Sequence, residues 1–272
     1  MTLTTNQIQR HFDGFLQTPS LWENNDVFEL NQFTIEQKSL PINVHIDTKL
    51  RLGKYIERFV SFQLQHEKSM QLLAENIQIK KDKITIGEID CLLIKDEKPI
   101  HLEVIYKFYL YDASIGNTEI EYLIGPNRKD SLVEKLNKLK LKQLPLLYSK
   151  ECESYLKTLD LNALEIEQQV YFKAQLFVPY AKKEMQLETL NQNCISGFYI
   201  YKYEIEQFSS CKFYIPTKKD WLIVPHTNVN WANFNVFKHE LNTYFLREFS
   251  PMVWVKHPSG EIEKLFFVWW HA

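Results

Sequence analysis

Several familiar signatures are absent from this chain. Its four cysteines, Cys91, Cys152, Cys194 and Cys211, form no CxxC pair, which argues against a structural zinc site. Neither sign of charge dominates: 32 Lys and Arg stand against 34 Asp and Glu, for a formal charge of −2. Any nucleic-acid binding therefore needs a local basic patch. No apolar run approaches the ~18 residues needed to span a bilayer. The opening "MTLTTNQIQRHFDGF" lacks a basic stretch followed by an apolar one, so a cytoplasmic protein with reduced thiols is expected. There is also no Pro/Gly/Ser linker, no internal repeat and no low-complexity segment.

What is present is a globular chain. Its 272 residues are 45% hydrophobic and 24% charged, enough for a sizeable core in one or two domains. Residues 5–35 read as helical with breaks, and "LPINVHID" at 40–47 reads as a short strand. A helix is expected over 48–74, where Leu52, Ile56, Phe59, Val60 and Leu64 keep helical spacing. Strands follow in "ENIQIKKDKITI", "EIDCLLI" and "PIHLEVIYKFYLY", with "KDEKP" at 95–99 as a hairpin turn. Residues 112–130 read as loop. Ser131 to Glu134 fits a capping box, with Asp130 as a competing cap, and the helix stops near Pro145. A helical stretch at 150–165 and the strand "QQVYFKAQLFVP" complete this half. After 180 the chain turns to aromatic-rich strands, "SGFYIYKYEIEQF", "CKFYIP", "WLIVP" and "PMVWVK…EIEKLFFVWW", with one helix, "NVFKHELNTYFLREF".

The stretch "GEIDCLLIKDEKPIHLEVIYKFYLY" (Gly87 to Tyr111) poses the functional question. A strand alternates its faces with period two. His101, Glu103, Ile105, Lys107 and Tyr109 share one face, and the apolar set Leu102, Val104, Tyr106, Phe108 and Leu110 the other. A carboxylate and an ammonium beside apolar neighbours persist when they are paired or used. Asp90 lies on the neighbouring strand of the hairpin, beside Glu103, and Glu88 shares its face as an alternative acid. Glu57 flanks the apolar stripe of the helix, in line with Gly53, Val60 and Leu64, and leans toward Asp90 if Gly53 marks close packing on the sheet. The bland alternative is a Lys54–Glu57 surface pair. His101 is a rim histidine or a phosphate contact. Gln143 lies on the Leu132/Leu136/Leu139 side of its helix.

"GEIDCLLI" followed by "PIHLEVIYK" resembles the core of the PD-(D/E)XK nuclease superfamily. More closely, the segments "RLGKYIERF", "GEID", "HLEVIYKFYL", "GPNRKDSL" and "KLNKLKLKQLPL" resemble a bacterial family known as a domain of unknown function and numbered 1853. The family resemblance covers most of the chain, and the superfamily resemblance about residues 48–178. It implies an α/β (α+β) fold: a restriction-endonuclease-like helix-strand-strand-strand-helix-strand core at 48–179. An N-terminal helical extension at 1–47 precedes it, and a C-terminal aromatic-rich α+β subdomain at 180–272 packs on it. It also implies a divalent-metal-dependent nuclease. Asp90 and Glu103 map onto the metal-binding acids, the Val104 carbonyl onto a further ligand, and Lys107 onto the residue that orients the attacking water. It places Gln143 near the site. Hard cations such as Mg²⁺ or Mn²⁺ neutralise a phosphodiester and lower the pKa of a bound water.

One departure matters. Where the superfamily has glutamate, any residue, lysine, this chain has Ile105, and the lysine comes two residues later. Lys107 keeps the same face but sits roughly 6–7 Å further along the strand. Two function classes follow: an active nuclease, or a nuclease-like binding or regulatory protein without turnover. A blander third is a structural protein that uses these charges as an ion-pair cluster. For nucleic acid, Lys135, Lys138 and Lys142 form a basic stripe, preceded by Arg128 and Lys129 near a helix N-terminus. Tyr199, Tyr201 and Tyr203 are candidate stacking residues, though aromatics in a strand more often pack in a core.

Overall fold

The computed structural model describes residues 3–23, 27–44, 46–47 and 49–271. It is a mixed α/β fold with a large, mostly antiparallel sheet and several helices. The chain divides into two compact units. Unit 1 takes the residues up to Tyr106 together with Glu134–Lys173, and unit 2 takes Lys107–Val133 and the residues from Ala174 onward. These units are drawn differently from the expected boundaries at 47/48 and 179/180. Among the described residues no helix is long and apolar enough to cross a membrane.

In unit 1, helix α1 (Thr5–Gln17) begins with a capping box in which Thr4 and Gln7 satisfy each other's backbone N–H groups. Its other end is closed from a distance. Lys173 Nζ, in strand β5 (Glu167–Pro179), donates to the carbonyls of Phe15, Leu16 and Thr18 at 3.1, 3.2 and 2.6 Å. An ammonium thus meets carbonyls at a helix C-terminus, where backbone donors run out; the Phe15 carbonyl also accepts from the Thr18 N–H. Strands β1 (Met70–Lys81), β2 (Ile84–Lys95) and β3 (Lys98–Tyr111) form an antiparallel meander, with β5 beside β3. Asp96 and Glu97 both take the left-handed conformation between β2 and β3 (φ 49° and 68°), the geometry of a two-residue hairpin turn that matches strand twist. Helix α2 (Leu52–Gln65) buries Tyr55, Phe59, Val60 and Leu64. Phe59 lies 5.4 Å from the ring of Phe12 in α1. A separate cluster joins Ile77, Ile79 and Ile89 to Leu147, Cys152 and Leu156. It is completed by the segment in which α3 (Leu132–Lys138) passes through a π-turn (Leu139–Gln143) and a 3-10 turn into α4 (Lys150–Thr158).

In unit 2, the short strand β4 (Leu123–Ile124) pairs with the end of β3. Strand β6 (Ile195–Tyr201) runs parallel to the end of β5 and to β9 (Ile262–Val268). β8 (Met252–Lys256) is antiparallel to β9, and β7 (Lys212–Tyr214) to β8. Helix α5 (Phe234–Phe245) is capped by Asn233. It lays Phe237 flat on Phe213, with ring centroids 4.0 Å apart, over a core that includes Ile200, Val253, Val255 and Phe267.

Several local expectations change. The helix expected to reach 74 ends at Gln65, because Met70–Leu72 pair with Leu93–Lys95 of β2. Long-range pairing here overrides the helix preference of Met, Gln and Leu. "ENIQIKKDKITI" is two strands, turned at Asp82 (φ 54°). The described residues of 20–35 hold isolated bridges, Ser20 to Lys173 and Gln32 to Val170, rather than helix, and residues 24–26 lie outside them. Among the described residues of 40–47 there is no strand, and His45 lies outside them. The helix expected over 150–165 ends at Thr158. "WLIVP" holds a 3-10 turn at Asp220–Leu222, and the strand of "SGFYIYKYEIEQF" gives way to 3-10 helix after Tyr201.

Candidate active site

Two elements of unit 1 bring carboxylates together. Helix α2 supplies Glu57, and β2 supplies Glu88 and Asp90, two residues apart and hence on one face. One carboxylate oxygen from each lies within 4.8 Å of the other two. Lys54, one helical turn before Glu57, reaches into the same place. Its Nζ donates to Glu57 Oε2 at 2.8 Å, to Asn76 Oδ1 at 3.0 Å and to Glu88 Oε1. Asn76 sits in β1 between the register pairs Glu75↔Cys91 and Ile77↔Ile89, opposite Asp90. Its φ of 54° is a left-handed conformation inside a strand, which asparagine tolerates better than most residues. Burial works against the charge on Lys54, but Glu57 and Glu88 outweigh it and hold the ammonium above its ordinary value. Burial raises Glu57; Lys54 opposes that rise, and Glu88 adds to it.

Asp90 stands where a ladder ends. Strands β2 and β3 pair from Lys95↔Lys98 to Cys91↔Leu102. One step further the side chain takes over from the backbone, and Val104 N–H donates to Asp90 Oδ2 at 2.9 Å. Burial first, then the negative charges of Glu103 and Glu57, push Asp90 up to about 7, against the lowering effect of the Val104 bond and of Lys54.

Glu103 is fully buried, and both of its oxygens are engaged. Gln143 Nε2, from the π-turn, donates to Oε2, and His101 Nε2 lies 3.1 Å from Oε1. The tautomer of His101 follows from its neighbours. Gln168 Nε2 lies 2.6 Å from the Leu144 carbonyl, so that atom is the amide nitrogen, and it also reaches His101 Nδ1 at 3.1 Å. Nδ1 therefore accepts, and Nε2 carries the proton donated to Glu103. Lys135 Nζ closes the chain of contacts on Gln143 Oε1 at 2.8 Å. His101 is thus a buried support for Glu103 and not a rim residue, because β3 is covered on both faces at this point.

Lys107 belongs to unit 2, where its Nζ pairs with Asp130 Oδ2 at 2.5 Å. Ile105, at the common lysine position, is buried. Arg128 pairs with Asp112 and stacks its guanidinium over the Trp270 ring at 4.1 Å. Lys129 is exposed, as are Lys138 and Lys142, whereas Lys135 is turned toward Gln143. Tyr199 is buried, with its hydroxyl on the Tyr111 carbonyl, while Tyr201 and Tyr203 stack 5.5 Å apart. Gly53 owes nothing to packing, since a Cβ there would meet no atom within 4 Å. In sequence Lys54 reads only as a surface partner of Glu57, and nothing marks Asn76. The one available signal was the helical spacing of Lys54 and Glu57 opposite two acids in "GEID".

Comparison with protein families matched residues 10–268 to a family described as a domain of unknown function (DUF1853). Comparisons with curated proteins and with solved structures gave no match.

Proposed function

We propose that this chain, which belongs to the DUF1853 family, is a divalent-metal-dependent phosphodiesterase of the PD-(D/E)XK type acting on DNA or RNA. The observation that carries the reading is the convergence of Glu57, Glu88 and Asp90 on one point beside Lys54, at the end of the β2–β3 ladder. Three hard oxygen donors with surplus negative charge fit Mg²⁺ or Mn²⁺, which favour carboxylates. When bound, such an ion neutralises phosphate charge and acidifies a water.

The protein's own groups have separable tasks. The Val104 N–H fixes the direction of Asp90 by donating to its Oδ2. His101 and Gln143 hold Glu103 rigid, so its charge acts on Asp90 from a constant position. Lys54 balances the acids and is the cation within this cluster that a phosphate would meet. Among the basic residues, Lys138 and Lys142 are exposed to receive nucleic acid backbone.

A second reading keeps the binding and drops the turnover. It is favoured by the engagement of Lys107 with Asp130 and by the buried Ile105. Calorimetry with Mn²⁺, followed by divalent-dependent cleavage of single- and double-stranded DNA and RNA, separates the two. Cleavage that disappears in Asp90→Ala supports the enzyme. Metal and nucleic-acid binding without cleavage supports the binder. No metal binding at all overturns both.

A further inference from the structure

Unit 2 places a thiol, an imidazole and a carboxylate in line. Cys211 immediately precedes β7 and His257 immediately follows β8. The register Lys212↔Lys256 makes them the next cross-strand pair. Cys211 Sγ lies 3.6 Å from His257 Nδ1, and His257 Nε2 lies 2.6 Å from Glu263 Oε2 in β9. Glu263 uses its other oxygen to accept from Lys183 Nζ at 2.8 Å. A carboxylate held by an ammonium only accepts, so Nε2 carries the ring proton. Nδ1 is left with its lone pair toward the thiol. This is the relation of nucleophile, base and orienting acid that activates serine and cysteine nucleophiles.

We infer that Cys211 is a nucleophilic thiol, with His257 as its general base and Glu263 as the group that orients the base, and that it accepts an acyl group from a small activated ester. As Sγ attacks the carbonyl carbon, the thiol proton passes to His257 Nδ1. The S–C bond forms and the ester C–O bond breaks. The departing oxygen takes the electron pair and then the proton from the imidazolium. Glu263 stabilises the ring while it is charged.

Two features set the scope. Cys211 is 6% exposed, which limits the donor to small molecules. Burial raises its thiol, with Ser210 opposing and Glu263 adding to the rise, so the group waits as S–H and depends on its base. Cys91 has carboxylates for neighbours; burial first, then Asp90 and Glu75, push its thiol well up. Cys152 sits in the apolar cluster of unit 1. The inference is independent of the phosphodiesterase reading.

The test uses the full chain and 4-nitrophenyl acetate at pH 7.5. Release of nitrophenolate is followed by absorbance, and the acetylated peptide is identified by mass. The expected result is one fast equivalent of nitrophenolate, with acetyl on Cys211 about tenfold ahead of the other three cysteines. His257→Gln should slow that phase by roughly a hundredfold, the usual worth of a positioned base. In His257→Gln the remaining rate should rise with pH as the raised thiol ionises. Glu263→Gln should fall between the parent and His257→Gln. Even labelling of the four cysteines in the parent overturns the inference with no variant needed, as does labelling confined to lysines. An unchanged rate in folded His257→Gln does the same.

Discussion

The backbone N–H of Val104 donates to Asp90 Oδ2 at 2.9 Å. A side chain thereby closes a ladder at the point where β2 and β3 stop pairing, and the carboxylate most opposed by its surroundings is also fixed in direction. Asparagine keeps an oxygen for that N–H and removes the charge repelled by Glu103 and Glu57. Asp90→Asn should therefore be more stable than the parent at pH 8 without divalent ions, by about 1–3 kcal/mol. It should also lose Mn²⁺ binding. Urea unfolding and calorimetry check the two halves, and equal midpoints for variant and parent at pH 8 would show that Asp90 carries no such burden.

Lys54 and Lys107 should separate cleanly. Lys54 serves Glu57, Glu88 and Asn76 in a part-buried cluster. Lys54→Met should lower stability by about 1–3 kcal/mol, because it leaves acids without their cation. Mn²⁺ should restore most of that loss. Lys107 has a half-exposed partner in Asp130, so Lys107→Met should cost less than about 1 kcal/mol. If Lys107 serves catalysis, its loss abolishes cleavage with metal affinity intact. Unchanged cleavage and unchanged stability in Lys107→Met would count against both of its roles.

Lys264 gives unit 2 a pH signature. It is buried in β9, donating to Gln175 Oε1 at 3.0 Å and to the Trp221 carbonyl at 2.8 Å, and burial lowers it to about 7. The folded state then binds fewer protons than the unfolded state between about 7 and the ordinary lysine range. The contribution of this group is full above that range and is lost as pH falls toward 7. Stability attributable to Lys264 should therefore rise from pH 7 to 10. Chemical unfolding across that window should show a slope that Lys264→Met removes, and an identical slope in the variant would exclude the lysine.

Two glycines should respond oppositely. A Cβ at Gly53 meets nothing, so Gly53→Ala should stabilise α2 by about 0.5–1 kcal/mol through backbone entropy. At Gly197 in β6 a Cβ would overlap the Lys264 carbonyl and crowd the Phe177 ring. Gly197→Ala should cost on the order of 2–4 kcal/mol, since backbone is what must move. Thermal melts of the pair decide the matter, and a stabilised Gly197→Ala would contradict the packing described for β6 and β9.

How far the sequence spoke depends on the range of each interaction. Period two put Glu88 with Asp90 and His101 with Glu103, and helical spacing turned Glu57 inward, because these are properties of single elements. The type of neighbour across an element was not legible. Lys54 beside Glu57 looks the same in sequence whether water or two acids lie opposite. His101 read as a rim residue because nothing in "PIHLEV" announces that Gln168 of β5 will cover it. The overrun of α2 has the same origin, since Met70–Leu72 are strand only by virtue of β2.

The three carbonyls gathered by Lys173 set a timetable for the chain. Lys173 is 2% exposed, and its backbone acceptors lie up to 158 residues earlier. Contacts of such separation close late and slowly. The first helix leaves the ribosome long before the cation that completes its C-terminus, and until residue 173 emerges those carbonyls face water. A chain beginning at Leu52 would in turn keep an ammonium beside the Tyr171 ring without the carbonyls of Phe15, Leu16 and Thr18 and without the Gln37 oxygen. The opening helix is therefore a fixed component of unit 1, and a fragment beginning at Leu52 should be recovered as insoluble protein.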